Sequence, residues 1–288
     1  MDKERLGREL KRWRKIRGFT QKQLAENVCH QSEISRLEAG EVFPSIDVLH
    51  LLARKLKIPS TYFFEVLIHD DVEYKKAFKE EILTLSKNKD YKKIYQMIDE
   101  VLPQKEAIHP ELKKFLLWQY YIAAYTLNKI NSKSCITELN LLLQKDTYGT
   151  DVFLDLHIKN SLANILAENK SYAESDAIYE EILVEKVVSK SIDILKVKCN
   201  YNFGKSLFLR KKYHQALQYT NQGIALSQIL NDMSLIGHLY CQKAYILECI
   251  DGEYEEISSN FKKAYLFFDI LELTYHKKIL LDKKKHYI

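Results

Sequence analysis

Tyr172, Tyr213 and Tyr254 recur at intervals of 41 residues, and Tyr91 stands 81 residues before the first of them. A period of this length marks stacked supersecondary units, none of which can bury its apolar side alone. Each tyrosine opens one local pattern. The first copies read Tyr91-x2-Ile94-x3-Ile98-x2-Val101 and Tyr172-x2-Ser175-x3-Tyr179-x2-Ile182. Tyr213-x2-Ala216-x3-Thr220-x2-Gly223 and Tyr254-x2-Ile257-x3-Phe261-x2-Ala264 follow, and a degenerate copy, Ser132-x3-Ile136-x2-Leu139, fills the gap. Steps of three and four place these side chains on one helical face. Apolar stretches over 152–168, 192–209 and 234–250 precede three of the tyrosines, so the pattern predicts five helix pairs. Eight Gly and four Pro in 288 residues are too few turn residues for a β-rich chain. The expected fold is all-α.

The repeat resembles the tetratricopeptide repeat (TPR), with small residues such as Gly204 and Ala216 where paired helices press together. Its period exceeds the ~34 residues usual there, which implies longer helices and an irregular superhelix; HEAT-like pairs are the alternative. Either stacking leaves a concave surface lined by the first helix of each pair. Asn160 and Asn202 fall at matching places on that wall, with Asn164 one turn past Asn160 and Gln242 further round. An Asn amide offers a donor and an acceptor together, which suits the backbone of an extended peptide. The plainer reading is an Asn bonding a neighbouring carbonyl, and the residues alone weigh the two evenly. Lys87 and Lys89 offer cations for an acidic side chain or a terminal carboxylate, although a lone Lys pair is more often solvated surface. Of Phe64, Trp118, Tyr121 and Tyr125, most are expected in the core and one or two at a pocket.

Ahead of the repeats lies a different kind of segment, Thr20 to Gly40. Thr20 and Gln23 form a capping-box pair at a helix start. Leu24, Ala25 and Val28 share one face. Gln31 or Ser32 opens a second helix, with Ile34 and Leu37 inward, and Gly40 closes it in a left-handed conformation. The outward side then carries Gln31, Ser32, Ser35 and Arg36, whose groups hydrogen-bond base edges and phosphates. Thr20-Gln21, Leu24-Ala25, Ile34-Ser35-Arg36-Leu37-Glu38-Ala39-Gly40 and the following Pro44 resemble the helix-turn-helix of Cro/cI-like regulators. That resemblance adds Gln21 to the DNA-contacting set. One departure stands out: the turn holds Asn27-Val28-Cys29-His30, shorter by a residue and without the usual Gly. Before it, Leu6, Leu10 and Trp13 give a helix over 3–17 an inner stripe, and Gly18 stops it. After it, Pro44-Ser45 opens a helix with Leu49, Leu52, Ala53 and Leu56 inward, and Ser45 can meet a phosphate at its start. A helix over 61–68 follows Pro59-Ser60.

Charge is uneven. Residues 1–66 carry 13 basic and nine acidic side chains, net +4, while the remaining 222 carry 31 and 30, net +1. A basic N-terminal module is the footprint expected of phosphate binding through counterion release. The five cysteines (29, 135, 199, 241, 249) are odd in number and form no CxxC pair, which fits a reduced, cytoplasmic setting and small core residues. No apolar run approaches the ~20 residues that span a bilayer, and the charged start is no secretory signal. HExxH, GxSxG and a Gly-rich phosphate loop are all missing from the sequence, so no enzyme, metal or cofactor is expected.

From end to end the chain is similar to the peptide-sensing quorum regulators of Gram-positive bacteria, the Rgg/NprR/PlcR/PRgX group. Stretches that carry this include Cys29-His30-Gln31-Ser32-Glu33, Trp118-Gln119-Tyr120-Tyr121, Leu235-Ile236-Gly237 and Phe267-Phe268-Asp269-Ile270-Leu271-Glu272. The resemblance implies a homodimer on a palindromic operator, controlled by a short signalling peptide in the repeat groove. It implies peptide contacts at Lys87, Lys89, Asn160, Asn202 and His238, with His238 in place of a Gln and Phe64 in place of a Tyr. The expected domains are 1–69, which binds DNA, and 70–288, which senses peptide and dimerises. Two rivals are an interaction scaffold and a peptide-regulated phosphatase on the same repeats.

Overall fold

The computed structural model describes residues 3–68, 72–102, 110–144, 151–187 and 189–288. Among them there is no strand, and the chain forms two compact units, Met1–Lys113 and Lys114–Ile288. The boundary expected near Asp70 falls outside the described residues.

The first unit opens with α1 (Lys3–Ile16), α2 (Gln21–Ala25), α3 (Gln31–Glu38), α4 (Ile46–Leu56) and α5 (Ser60–Ile68). Leu6 and Leu10 of α1 share one core with Leu24, Ile34, Leu37, Leu49, Leu52, Leu56 and Phe63. Close approach of α1 to α3 depends on Gly7: a Cβ there would stand 2.4 Å from the Leu37 carbonyl oxygen. Gly18 and Gly40 both take φ +71°, and each closes its helix with the paired bonds of a Schellman motif. For α3 these are Gly40 N–H to Leu37 O (3.1 Å) and Glu41 N–H to Arg36 O (3.0 Å).

Helix α2 is shorter than its apolar spacing implied. It stops at Ala25, and Val28 packs on the core from the turn. The cause is a tight turn from Ala25 to Val28. Glu26 is extended (φ −53°, ψ 127°) and Asn27 is left-handed (φ 58°). Asn tolerates that conformation better than most residues, so it does here what Gly does in the Cro/cI-like pattern.

Helices α6 (Val72–Lys87) and α7 (Tyr91–Val101) complete the first unit. The second holds three helix pairs and parts of a fourth, starting with α8 (Pro110–Thr126) and α9 (Ser132–Gln144). The others are α10 (Val152–Glu168) with α11 (Tyr172–Leu183), α12 (Lys190–Leu209) with α13 (Tyr213–Leu230), and α14 (Ile236–Cys249) with α15 (Tyr254–Ile270). Each repeat tyrosine is the first residue of its helix, as the period predicts. Helix α16 (Thr274–Lys284) and a 3-10 turn over Lys285–Tyr287 cover the end of the array. There the Tyr254 and Ser258 hydroxyls donate to the His286 and Tyr287 carbonyls. Within the third pair of this unit, a Cβ on Gly204 would lie 3.3 Å from the Ala216 carbonyl, the tight contact expected at those two positions.

The turns inside the pairs share one solution. Lys89, Asn128, Lys170, Lys211 and Asp251 are all left-handed, with φ from 53° to 65°. In all five turns the next residue's N–H reaches back five positions, as in Ser171 to Leu166 and Lys212 to Leu207. Cys135 and Cys199 are buried and Cys29 and Cys241 half-buried, whereas Cys249 lies exposed at the end of α14 rather than in the core.

Candidate nucleic-acid interface and repeat groove

Helix α3 has two opposite sides. Ile34 and Leu37 are almost fully buried, while Gln31, Ser32, Ser35 and Arg36 are exposed. Thr20 anchors the preceding helix as expected: its hydroxyl accepts from Gln23 N–H (3.2 Å), and the Gln23 side chain accepts from Thr20 N–H (2.8 Å). Behind the exposed face runs a chain of polar contacts. Arg14 forks onto the Glu38 carboxylate, with Nη2 2.9 Å from Oε2. Gln21 Nε2 donates to the same oxygen (2.9 Å), and Gln31 Nε2 donates to Gln21 Oε1 (2.9 Å). Gln21 is therefore half-buried and holds Gln31 in place. Burial alone would raise the Glu38 carboxyl; hydrogen bonds from Arg14 and Gln21 and the Arg14 charge outweigh it and hold the group below the usual carboxylate range. Arg36 lies 3.3 Å from Glu41, both well exposed, a pair that a phosphate or base can displace at small cost. The Ser45 hydroxyl accepts from Val48 N–H (3.2 Å), which caps α4 and leaves the hydroxyl proton to donate outward.

In the second unit, positions counted back from each left-handed turn residue fall into register. Thirteen residues back are Phe115, His157, Lys198 and His238. Ten back are Trp118, Asn160, Tyr201 and Cys241, and nine back are Gln119, Ser161, Asn202 and Gln242. Steps of three and four keep these on one face of α8, α10, α12 and α14. Contacts between neighbours join the strip. Trp118 Nε1 donates to Ser161 Oγ (3.0 Å), Asn202 Nδ2 donates to Asn160 Oδ1 (3.2 Å), and the Tyr201 and His238 rings stand 5.9 Å apart.

Asn160 and Asn202, expected at matching places, stand one position apart in this register, where Asn160 matches Tyr201 and Asn202 matches Ser161; Asn160 is 2 % exposed and Asn202 half-buried. Asn164, one turn on, accepts from the Tyr179 hydroxyl (2.6 Å), and the buried Gln242 amide bonds the Thr220 hydroxyl (2.9 Å). His238 is half-buried among Tyr201, Phe268 and His276. Of the aromatic candidates, Trp118, Tyr121 and Tyr125 are all half-buried. Lys87 ends α6 and Lys89 is the left-handed turn residue after it; both are exposed and belong to the first unit. The Phe64 side chain lies outside the described residues. His157, Lys198 and Tyr201 share the strip; they belong to no amide pattern, and their common spacing from the left-handed turns is the sequence signal that marks them.

Burial, helped by the nearby charge of Lys198, pushes His157 down from 6.5 to about 4. Its imidazole is neutral in the folded protein, whereas in the unfolded chain it takes a proton near 6.5. The stability this group contributes is thus complete above pH 6.5 and is lost as pH falls toward 4, by at most about 3 kcal/mol. His157→Gln should flatten the melting temperature between pH 6.5 and 4; a curve of unchanged slope would contradict this.

The architecture is a helix-turn-helix domain followed by an array of TPR-like helix pairs. Residues 10–63 match the helix-turn-helix family and residues 79–288 match the RNPP family C-terminal domain, so the chain belongs to the RNPP family. Bacillus thuringiensis PlcR in complex with the peptide PapR7 and DNA is 44% identical over 97% of this chain and 100% of that one, with a TM-score of 0.88. The apo form of the same protein gives 42% identity over 98% and 99% of the two chains and a TM-score of 0.71. ComR from S. thermophilus, in complex with DNA and its signalling peptide ComS, shares the fold at 17% identity over 98% and 99%, with a TM-score of 0.67. No curated protein sequence matches.

Proposed function

We propose that the protein is a DNA-binding transcriptional regulator controlled by a short signalling peptide. The observation that carries this reading is the exposed polar face of α3, set on a buried apolar back, in a chain 44% identical to a PlcR seen with both peptide and DNA. It acts by binding rather than by catalysis, in the cytoplasm where its DNA target lies, as a homodimer on a palindromic operator. Residues 1–69 bind DNA through Gln31, Ser32, Ser35 and Arg36, with Gln21 and Ser45 at the flanking backbone. Residues 70–288 sense the peptide through Lys87, Lys89, Asn160, Asn164, Asn202, His238 and Gln242, and Phe64, which precedes that range, is a further contact.

A two-fold dimer places two recognition helices about one helical turn apart, roughly 34 Å or a multiple. A peptide that binds one repeat curvature better than another shifts the population toward the DNA-competent state, by no more than its difference in affinity. Selection of bound sequences from random DNA should enrich a palindrome. On that operator Arg36→Ala and Gln31→Ala should each weaken binding by about 1–3 kcal/mol, with the fold intact because both side chains are exposed. Wild-type affinity in both variants would remove α3 as the reader. Failure to enrich any sequence would favour an interaction scaffold.

A further inference from the structure

Lysines on the first helices of the repeats fall into two groups. Away from the strip that faces the groove, those packed toward a neighbouring helix are paired. Lys114 and Asp155 form a pair in which the lysine is almost completely buried; Lys159 pairs with Glu181 (2.6 Å), and Lys243 with Glu256 (3.1 Å). Lys198 on the strip and Lys205, three residues past Asn202 on the same face of α12, are exposed, and no carboxylate among the described residues pairs with either. Lys198 is open to solvent, yet crowding by protein lowers the pKa of its ammonium.

The surroundings are donors and rings. His157 holds the equivalent place on α10, feels the Lys198 charge, and stays neutral with an N–H to give. Phe153 and Trp118 flank the His157 ring at 4.5 and 5.7 Å. Asn202 lies one turn beyond Lys198 on the same face, with its amide already drawn to Asn160. An unpaired ammonium beside neutral donors and apolar rings is set up for an anion that arrives with a ligand. We infer that Lys198, supported by His157 and Lys205, forms a carboxylate subsite in the repeat groove that takes an acidic side chain or the terminal carboxylate of the bound peptide. This rests on the peptide-sensor reading above and adds the chemistry of one subsite.

The test uses the full-length protein and a positional-scanning heptapeptide library, made once with a free C-terminal carboxylate and once as the amide. Wild type should prefer Asp or Glu over Asn or Gln at one position, or free acid over amide, by about tenfold or more. The first outcome assigns a side chain and the second the terminus. Lys198→Met should lose the preference while still binding the apolar peptides, and Lys198→Glu should turn it toward Lys and Arg. Thermal melting checks that both variants fold, with Lys198→Gln as the fallback. Peptide binding by wild type with no carboxylate preference, or a preference unchanged in Lys198→Met, overturns the subsite and leaves the sensor reading intact. Retention of no heptapeptide at all overturns the sensor reading, and the subsite with it.

Discussion

Glu38→Ala is expected to destabilise the N-terminal helices by about 3–5 kcal/mol, because it leaves a buried guanidinium without its partner. The side chains of Arg14 and Glu38 are only 12% and 3% exposed, and they meet in a two-pronged contact. Arg14→Ala should cost a similar amount for the mirror-image reason. The double variant Arg14→Met with Glu38→Leu should recover much of the loss, since an apolar pair of similar bulk is often no worse than a buried ion pair. DNA reading should not recover with it. Gln21 would lose its acceptor, and Gln31 would lose the neighbour that fixes its amide. Urea unfolding followed through Trp13, in a Trp118→Phe background, measures the first effect, and operator affinity measures the second. A loss under about 1 kcal/mol for Glu38→Ala, the range of an exposed pair, would show that the contact is not buried in solution.

The second large effect is expected in the repeats. Tyr179→Ala should cost about 3–5 kcal/mol, the range for removing a buried aromatic ring. The ring is fully buried and stacks on Phe203 with centroids 5.0 Å apart. Burial raises its phenol well above the usual value, so the hydroxyl stays protonated and keeps donating to Asn164. Tyr179→Phe isolates that bond and should cost about 1–2 kcal/mol. Stacked repeats are stabilised by nearest neighbours, so the damage should be local. Amide exchange should quicken in α10 to α13 before α16 or the helix-turn-helix changes. Uniform loss of protection would instead mean that the array unfolds as one body.

Much of this was legible in the sequence because the signals were local. Thr20 with Gln23, Gly18 and Gly40 are governed by one turn of backbone, and the structure places each as a cap or a stop. The tyrosine period located the starts of α7, α11, α13 and α15 because apolar steps of three and four repeat with it. What escaped depends on partners far along the chain. Glu38 is 24 residues from Arg14, and nothing in its neighbourhood marks it as buried. The pairing of Gln21 with Gln31 adds a bracing contact that no local pattern in the sequence marks. The repeat turns escaped for another reason. Glycine is the usual sign of a left-handed closure, and this chain uses Lys, Asn and Asp instead. Without that sign the register of the groove strip could not be counted, so Lys198 and His157 went unnoticed beside Asn160 and Asn202.

The strip of linked contacts along α8, α10, α12 and α14 has a mechanical consequence. Trp118 with Ser161, Asn160 with Asn202 and Tyr201 with His238 join successive helices like rivets along one edge of a leaf spring. Such a spring bends where a rivet has play. A short guest lying across one joint stiffens that joint alone, while a guest long enough to cross two sets their angles together. The length of the ligand, as much as its chemistry, then decides how far the spring is wound.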